Sequence, residues 1–471
     1  MNTHRKTGMF RAVALFFRDA AAHPGKYFNI FSMPARKQIH FLINLIFGLL
    51  ISILLHAAEH TDLGEKAVNI VSDALTRVET SDAIMQLKTA FGMPVITGRV
   101  VYIDIDRETY LQWETPMLVP RDRLAKYIAW AAHYGAGVVV LDIFTDYADC
   151  CFPCRDALLR DALLRSVLTS LSVAGSPTKT KIILPVDIDS GGKVRGSIFD
   201  DLVDEKTIYR GIPYGSESMD RVTRYWIAYG TGKEGGFYKV LWGIPLLAAM
   251  VSDNRYSELK ELEVLILKHA PGVSRTFSDK KKIRISFDNE DIYTQRIRFL
   301  TLPGRGDSLS YIRSARYLKE PDGDEDMKLA NTTFFKGKIV VIGNSSPDQK
   351  DIHFTPHGNL AGMFIIGNAV STIREGLQPS PLPEWAVYLF EGLAIFVASF
   401  AFLYLTALRA NLIASALMLS VLVPATVYCY FQFGVLINAI FPVLGMSLHQ
   451  FSSGFEEVIL HWMGKEDDES V

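Results

Sequence analysis

Long apolar stretches lie near the two ends of the chain, and most charged positions lie between them. Residues 39–58 form the first stretch, and three more follow at 385–408, 411–433 and 434–451. A helix rises about 1.5 Å per residue, so roughly 20 apolar residues cross the hydrocarbon core of a bilayer. The pattern therefore predicts one N-terminal transmembrane helix and three C-terminal ones, the latter filling residues 385–451.

The orientation of these helices follows from the basic residues before the first one: Arg5, Lys6, Arg11, Arg18, Lys26, Arg36 and Lys37. By the positive-inside rule, this end stays in the cytoplasm, and four crossings return the C-terminus to the same side. We expect a basic cytoplasmic segment at 1–38, an extracytoplasmic domain at 59–384 and an acidic cytoplasmic tail at 452–471. The protein would then be a multi-pass protein of a bacterial inner membrane, with its large domain in the periplasm. Alternatively, residues 39–58 are the core of a signal peptide.

Within the outer region, short β-rich runs alternate with helical patterns. Strands are expected at 99–104, 137–142, 181–186 and 339–343. Helices are expected at 61–87, 121–134, 154–171 and 362–375. Further along the chain, the pattern suggests a helix at 238–251, strands at 282–287 and 297–302, and loops at 320–328 and 344–357. The alternation predicts an α/β domain with a mostly parallel or mixed sheet covered by helices.

Charge and cysteine content narrow the possible chemistry. The formal net charge is −2 at pH 7, so nucleic acid is not an expected partner. Cys150, Cys151 and Cys154 fall in the outer region and are disulfide candidates, as Cys151–Cys154 or Cys150–Cys154, and Cys429 falls in a predicted span. A zinc site there would need a fourth ligand from elsewhere. We expect no metal and no cofactor.

Several motifs, taken in their order along the chain, resemble the CHASE domain of the second class, a sensory extracellular domain associated with cyclases and histidine kinases. These motifs are Val100–Asp106, Pro120-Arg121, Gly135–Asp142, Phe335–Gly343, Asp351–Pro356 and Gly362 with the helix after it. The resemblance covers about residues 60–450 and implies one span before the domain and three after it. It also implies pairing of the outer helices, so we expect a homo-oligomer.

The family often carries an output domain after the last span. Here His449–Val471 is the stretch that follows, and it is too short for a catalytic domain. We therefore expect the output to pass through an associated protein.

Six polar residues form the candidate site: Asp104, Asp106, Arg121, Asp142, Asp351 and Thr355. Asp104 and Asp142 end predicted strands, and Asp351 follows another, so a parallel sheet would bring them to one edge, where open α/β sheets bind ligands. We favour an Arg–Asp network in which Arg121 binds one of these carboxylates and fixes the strand-to-helix turns. The alternatives are a polar sensory pocket and a cation site.

The function expected from these features is that of a non-catalytic sensory or assembly subunit. Its outer domain would bind a ligand or partner protein and pass the change through transmembrane helices to an associated, unidentified protein. Membrane lipid, a second copy of the chain and that protein are the expected partners. One alternative is a structural subunit of an envelope-spanning complex, such as a secretion or conjugation machine. Another is a periplasmic hydrolase that uses the carboxylate cluster.

Overall fold

The chain divides into two compact units. One comprises Asp73–Ser380 and Cys429–Val435, and the other comprises Met1–Ser72, Pro381–Tyr428 and Leu436–Val471. The computed structural model describes residues 35–59, 61–90, 99–114, 119–145, 155–173, 179–213, 215–218, 220–268, 275–277, 283–285, 292–303, 311–318, 325–347, 351–404 and 418–437.

The described helices include those predicted at 121–134, 154–171 and 362–375, whereas the helices Arg107–Gln112 and Tyr256–Leu267 were not predicted. In chain order the described helices are α1 Ala35–Glu59, α2 Asp62–Glu79, α3 Asp82–Ala90, α4 Arg107–Gln112, α5 Arg121–His133, α6 Arg155–Ser172, α7 Ile244–Ser252, α8 Tyr256–Leu267, α9 Glu325–Phe335, α10 Gly362–Arg374, α11 Glu384–Tyr404 and α12 Val423–Phe433. Shorter helical turns are formed by Asp200–Leu202, Ala315–Tyr317 and Met418–Leu422.

The described strands include the four that the sequence predicts at 99–104, 137–142, 181–186 and 339–343. In chain order the described strands are β1 Val100–Ile105, β2 Val138–Asp142, β3 Lys181–Pro185, β4 Asp187–Ile188, β5 Val194–Arg195, β6 Ile208–Gly211, β7 Gly215–Glu217, β8 Thr223–Glu234, β9 Phe237–Trp242, β10 Arg275–Phe277, β11 Ile283–Ile285, β12 Ile292–Arg296, β13 Ile312–Ser314, β14 Ile339–Asn344, β15 Ile352–Thr355, β16 Gly358–Ala361, β17 Ser380–Pro381 and β18 Val435–Leu436.

A six-stranded parallel sheet forms the centre of the larger unit. Its strand order is β13-β1-β14-β2-β3-β6, and every neighbouring pair is parallel. All six residues of β1 and of β14 are buried, as expected for strands covered by helices on both faces. Helix α10 packs against β1 and β14, and α5 packs against β2. The prediction of a mostly parallel α/β domain is therefore confirmed.

A second, antiparallel sheet is built around the long strand β8, which pairs with β7, β12 and β9. The predicted helix at 238–251 is wrong for its first residues, which form β9. Gly235 and Gly236 have φ values of 56° and 88°, the left-handed region that a tight hairpin turn requires. This glycine pair joins β8 to β9, so the helix α7 begins only at Ile244.

Two further predictions are corrected by local hydrogen bonding. The predicted helix at 61–87 is two helices, because the Thr80 and Ser81 hydroxyls donate to the carbonyls of Arg77 and Val78, at 2.9 and 2.7 Å, and end α2. Residues 297–302 are not a strand, since several of their backbone groups bond to side chains of α10.

The two predicted loops contain regular structure. The end of the loop predicted at 320–328 begins helix α9. The loop predicted at 344–357 contains β15, which pairs with β16 in an antiparallel hairpin. Neither segment has the long apolar run that marks the central strands. The two elements were therefore missed for lack of a strong hydrophobic pattern.

The smaller unit contains the packed helices α1 and α11. Among the described residues, one helix is long and apolar enough to cross a membrane, over Phe41–Ala58. Gly48 allows close packing, because a Cβ there would lie 2.5 Å from Ile395 Cγ2. The Ser52 hydroxyl donates to Glu391 Oε2 at 2.6 Å, so this carboxylate of a predicted span faces a neighbouring helix.

Some predictions fall on residues that the structure does not describe. They concern the three clustered cysteines at 150, 151 and 154, most of the segment 1–38, most of the predicted span 434–451 and the tail 452–471. Of the predicted span 411–433, the described part is helical. These predictions stay predictions.

Candidate functional site

Two of the predicted site residues occupy equivalent positions at the carboxyl edge of the parallel sheet. Asp104 of β1 pairs in register with Gly343 of β14, and Gly343 pairs with Asp142 of β2. Residues in register on adjacent parallel strands point to the same face, so both aspartates lie on the face that Gly343 leaves open. Two strand spacings put their Cα atoms about 9.5 Å apart.

Helix α10 separates Asp104 from Asp142 at this edge of the sheet. A Cβ atom on Gly343 would lie 2.6 Å from the Cβ of Met363 and 3.3 Å from the Cβ of Asp142. The glycine therefore allows Met363, which is fully buried, to lie over the central strand between the two aspartates. The predicted carboxylate cluster is thus split, with Asp104 on one side of Met363 and Asp142 on the other.

Asp142 lies beside Asp351, whose side chain is close to the first residue of α10. The Oδ2 atom of Asp142 is buried and has no hydrogen-bond partner among the described residues. Burial raises the pKa of the Asp142 carboxyl well above its usual range, and the nearby charge of Asp351 raises it further. Asp142 therefore keeps its proton to a higher pH than an ordinary aspartate, and in that form it can donate a hydrogen bond.

The Asp351 carboxylate packs against the first turn of α10. A Cβ on Gly362 would lie 2.6 Å from Asp351 Oδ2, and the Gly362 N–H donates to the Asp351 carbonyl at 3.1 Å. The Nε2 atom of His353 lies 3.0 Å from Asp351 Oδ1. The positive end of a helix dipole favours a negative charge at this position. The Asp351 side chain thus lies between the start of α10 and the ring of His353.

Asp104 occupies the other side of Met363 and is 9% exposed. Within the part of the chain that the structure describes, its buried Oδ1 atom has no hydrogen-bond partner. The pKa of Asp104 is raised to about 6, mainly because the group is buried. Hydrogen bonds donated by Ser345 act to lower this pKa, and the charge of Asp106 acts to raise it. The carboxyl group at this strand end therefore changes its protonation in mildly acidic solution.

Asp106 and Thr355 have local structural contacts. Asp106 is the N-cap of α4, where its Oδ1 accepts hydrogen bonds from Thr109 N and Oγ1, both at 2.7 Å. The Thr355 hydroxyl donates to Gly358 O at 2.7 Å and accepts from His357 N at 3.2 Å, which closes the β15–β16 turn. These contacts position the segments on which the aspartates lie.

Arg121 lies at the start of α5, as the sequence predicted. Its side chain is buried, and an ionic partner lies on another helix. Its Nε is 3.7 Å from Oδ1 of Asp161 in α6, and its Nη1 donates to Phe144 O at 3.3 Å. Asp161 was not expected from the sequence, because only the packing of α6 on α5 brings it close. The described contacts of Arg121 thus join two helices to the loop after β2.

A family model for the CHASE2 domain matches residues 47–404 of the chain. The chain belongs to the CHASE2 family. The resemblance seen in the motif order is thereby confirmed, and CHASE2 is a family of extracytoplasmic sensory domains. No curated protein and no solved structure matches the chain.

The Asp142–Asp351 pair presents two kinds of hydrogen-bonding group at this edge of the CHASE2 domain. Protonated Asp142 donates a hydrogen bond, and the Asp351 carboxylate accepts one. A ligand with an acceptor facing Asp142 and an N–H or O–H donor facing Asp351 would form both hydrogen bonds. The hydrogen bond to Asp351 is stronger if the donor is cationic, because charge-assisted hydrogen bonds are stronger than neutral ones.

Metal binding in the CHASE2 domain has no support from the part of the chain that the structure describes. Within that part, no group of three or more histidine, cysteine, aspartate or glutamate side chains could hold a metal ion. The Asp142–Asp351 pair with His353 is not such a group.

Proposed function

We propose that this CHASE2 protein is a non-catalytic sensory subunit whose extracytoplasmic domain binds a small polar ligand between Asp142 and Asp351. The observation that carries the proposal is the buried Oδ2 atom of Asp142 at the carboxyl edge of a parallel sheet, for which the described residues supply no hydrogen-bond partner. This edge is where open α/β sheets bind their ligands. Leaving a buried polar atom unsatisfied costs about 1–3 kcal/mol, and a ligand that supplies the partner recovers that energy.

Ligand binding at this place would act on α10, because Asp351 packs on the first turn of that helix. A ligand shifts a conformational equilibrium only by its different affinity for the two states. A ligand that draws the Asp142 and Asp351 groups together would favour one position of the start of α10. The conformational change in α10 is the proposed signal.

The membrane part of the proposal has four spans with both termini in the cytoplasm. Its support is the apolar helix over Phe41–Ala58, the apolar composition of α11 and α12, and the basic residues before the first span. In this arrangement the signal passes through the spans to an associated protein. We also propose that the chain forms a homo-oligomer in the lipid bilayer.

A ligand screen tests the proposed site. The full-length protein in detergent is heated with single compounds from a set of amino acids, polyamines and dicarboxylates, and its unfolding midpoint is followed by tryptophan fluorescence. The expected result is at least one compound that raises the midpoint of the wild type. The same compound should have little effect on Asp142→Asn and Asp351→Asn, and its full effect on Asp201→Asn, a control at an exposed position.

Two outcomes would contradict the proposal. A compound that stabilises Asp142→Asn and Asp351→Asn as strongly as the wild type binds elsewhere. If no compound stabilises the wild type, and it co-purifies with other envelope proteins in fixed stoichiometry, the chain is a structural subunit instead.

A further inference from the structure

A buried charged cluster lies where three helices of the larger unit meet. Its members are Glu79 at the end of α2, Lys88 in α3, Arg298 in the segment after β12, and Tyr430 and Phe431 in the last turns of α12. We call these five residues the Arg298 joint. The side chains of Arg298 and Glu79 are 0% exposed, and that of Lys88 is 3% exposed.

The guanidinium group of Arg298 forms hydrogen bonds with two of these helices, α2 and α12. Its Nε donates to Glu79 Oε2 at 2.6 Å, and its Nη2 donates both to Glu79 Oε1 and, at 3.0 Å, to the carbonyl of Phe431. It also lies over the ring of Tyr430, 5.0 Å from the ring centroid. The Tyr430 hydroxyl is 2.9 Å from Thr76 Oγ1, which adds a second link between α12 and α2.

The charges of the joint favour a fixed geometry. Two cations, Arg298 and Lys88, share one carboxylate, because Lys88 Nζ also donates to Glu79 Oε1 at 2.5 Å. Burial lowers the pKa of Lys88, and the charge of Glu79 opposes this shift. The aromatic faces of Tyr430 and Phe431 lie against the two cations and offset part of the excess positive charge. Displacing α12 would remove these faces and the Phe431 carbonyl together.

The joint is connected to the proposed ligand site through α10. The backbone N–H of Arg298 donates to the hydroxyl of Thr372 at 3.0 Å. Thr372 lies ten residues after Gly362, which packs on Asp351, so α10 spans about 15 Å between the two places. A rigid helix of this length carries a displacement from one end to the other.

We infer that Arg298 couples α10 to α2 and α12, so that a movement of α10 changes the position of both helices together. The inference rests on the proposed function in one respect, because a ligand at Asp142 and Asp351 is what would move α10. In chain order, α2 follows the first predicted span and α12 belongs to the third. The joint would therefore be the place where a signal reaches both connections to the membrane.

Hydrogen–deuterium exchange of the full-length protein in lipid nanodiscs tests the coupling without any ligand. Arg298→Lys keeps the positive charge but cannot hold Glu79 and Phe431 with one planar group. We expect exchange to rise on the order of tenfold in the last turns of both α2 and α12, and to stay unchanged in β1 and β14. Glu79→Gln, which keeps the side-chain volume, should raise exchange in the same two segments.

Arg224→Lys is the matched control. Arg224 also binds α2, through two hydrogen bonds to Asp73 at 2.9 and 2.7 Å, and its other described ionic partner is Asp220. This variant should raise exchange near Asp73 and leave the end of α12 unchanged.

Three outcomes would overturn the coupling. One is a response of α2 without α12 in Arg298→Lys and Glu79→Gln. Another is the same paired response in Arg224→Lys. The third is faster exchange in β1 and β14 as well, because the cluster would then only stabilise the whole domain. None of these readouts depends on ligand binding, so a failure of the ligand screen leaves this result interpretable.

Discussion

Replacing Asp104 with asparagine is expected to make the protein more stable at neutral pH and to remove a pH-dependent part of its stability. The folded carboxyl group has a pKa of about 6, whereas an aspartate in the unfolded chain has a pKa of about 3.9. Below both values the group is protonated in both states and has no effect. At pH values between these two pKa values, the folded state binds more protons than the unfolded state, so the free energy of unfolding falls as the pH rises.

The size of the effect follows from the difference between the two pKa values. At about 1.4 kcal/mol per pKa unit, ionised Asp104 costs the folded state about 3 kcal/mol at neutral pH. Since the side chain is only 9% exposed, solvent does little to reduce this cost. Asparagine has nearly the same shape, remains neutral and can still accept a hydrogen bond from Ser345.

Thermal unfolding of the full-length protein in detergent, at about pH 4.5 and about pH 7.5, measures the difference. The variant should unfold roughly 5 °C above the wild type at the higher pH and only slightly above it at the lower pH. Asp201→Asn is the control, because the side chain of Asp201 is exposed and its ion pair with Arg165 lies at the surface, so its effect should be small at both pH values. A variant that is less stable than the wild type at the higher pH would show that the fold needs the ionised carboxylate.

Three further substitutions test other parts of the structure. Gly343→Ala places a Cβ atom 2.6 Å from Met363 Cβ, so urea unfolding should show a loss of about 1–3 kcal/mol; an unchanged midpoint would mean that α10 does not pack this closely. Asn368→Leu leaves two buried backbone N–H groups without the carbonyl oxygen that they share, and should cost about 3 kcal/mol in the same assay. A neutral result would show that water replaces the amide. Asp142→Asn should raise the unfolding midpoint at neutral pH and have less effect as the pH falls; an effect that is the same at every pH would contradict the raised pKa of Asp142.

The central sheet and the positions of Asp104 and Asp142 could be predicted because each depends on a local pattern. A short apolar run that ends in aspartate indicates both a buried strand and the polar group at its end. Since parallel strands end at the same edge, the two aspartates could also be placed near each other. Their separation could not be predicted, because it depends on how closely α10 packs on Gly343, with Met363 between them.

The Arg298 joint had no signal in the sequence. Glu79 and Arg298 are 219 positions apart, and the Phe431 carbonyl is a further 133 positions away. A lone arginine in a mixed segment is usually solvated, and only the packing of three helices around it removes it from water. The hairpin β8–β9 was missed for a different reason: the apolar residues of β9 and α7 run together and resemble one helix.

The position of the larger unit outside the cytoplasm is the premise on which the sensory function depends. Alkaline phosphatase, which is active only in the periplasm, can be inserted in full-length chains expressed in bacteria, at the exposed Gly235–Gly236 turn or after Val471. An active enzyme at the turn and an inactive one after Val471 are predicted. An inactive enzyme at the turn, with the fusion protein intact in the membrane, would contradict the account.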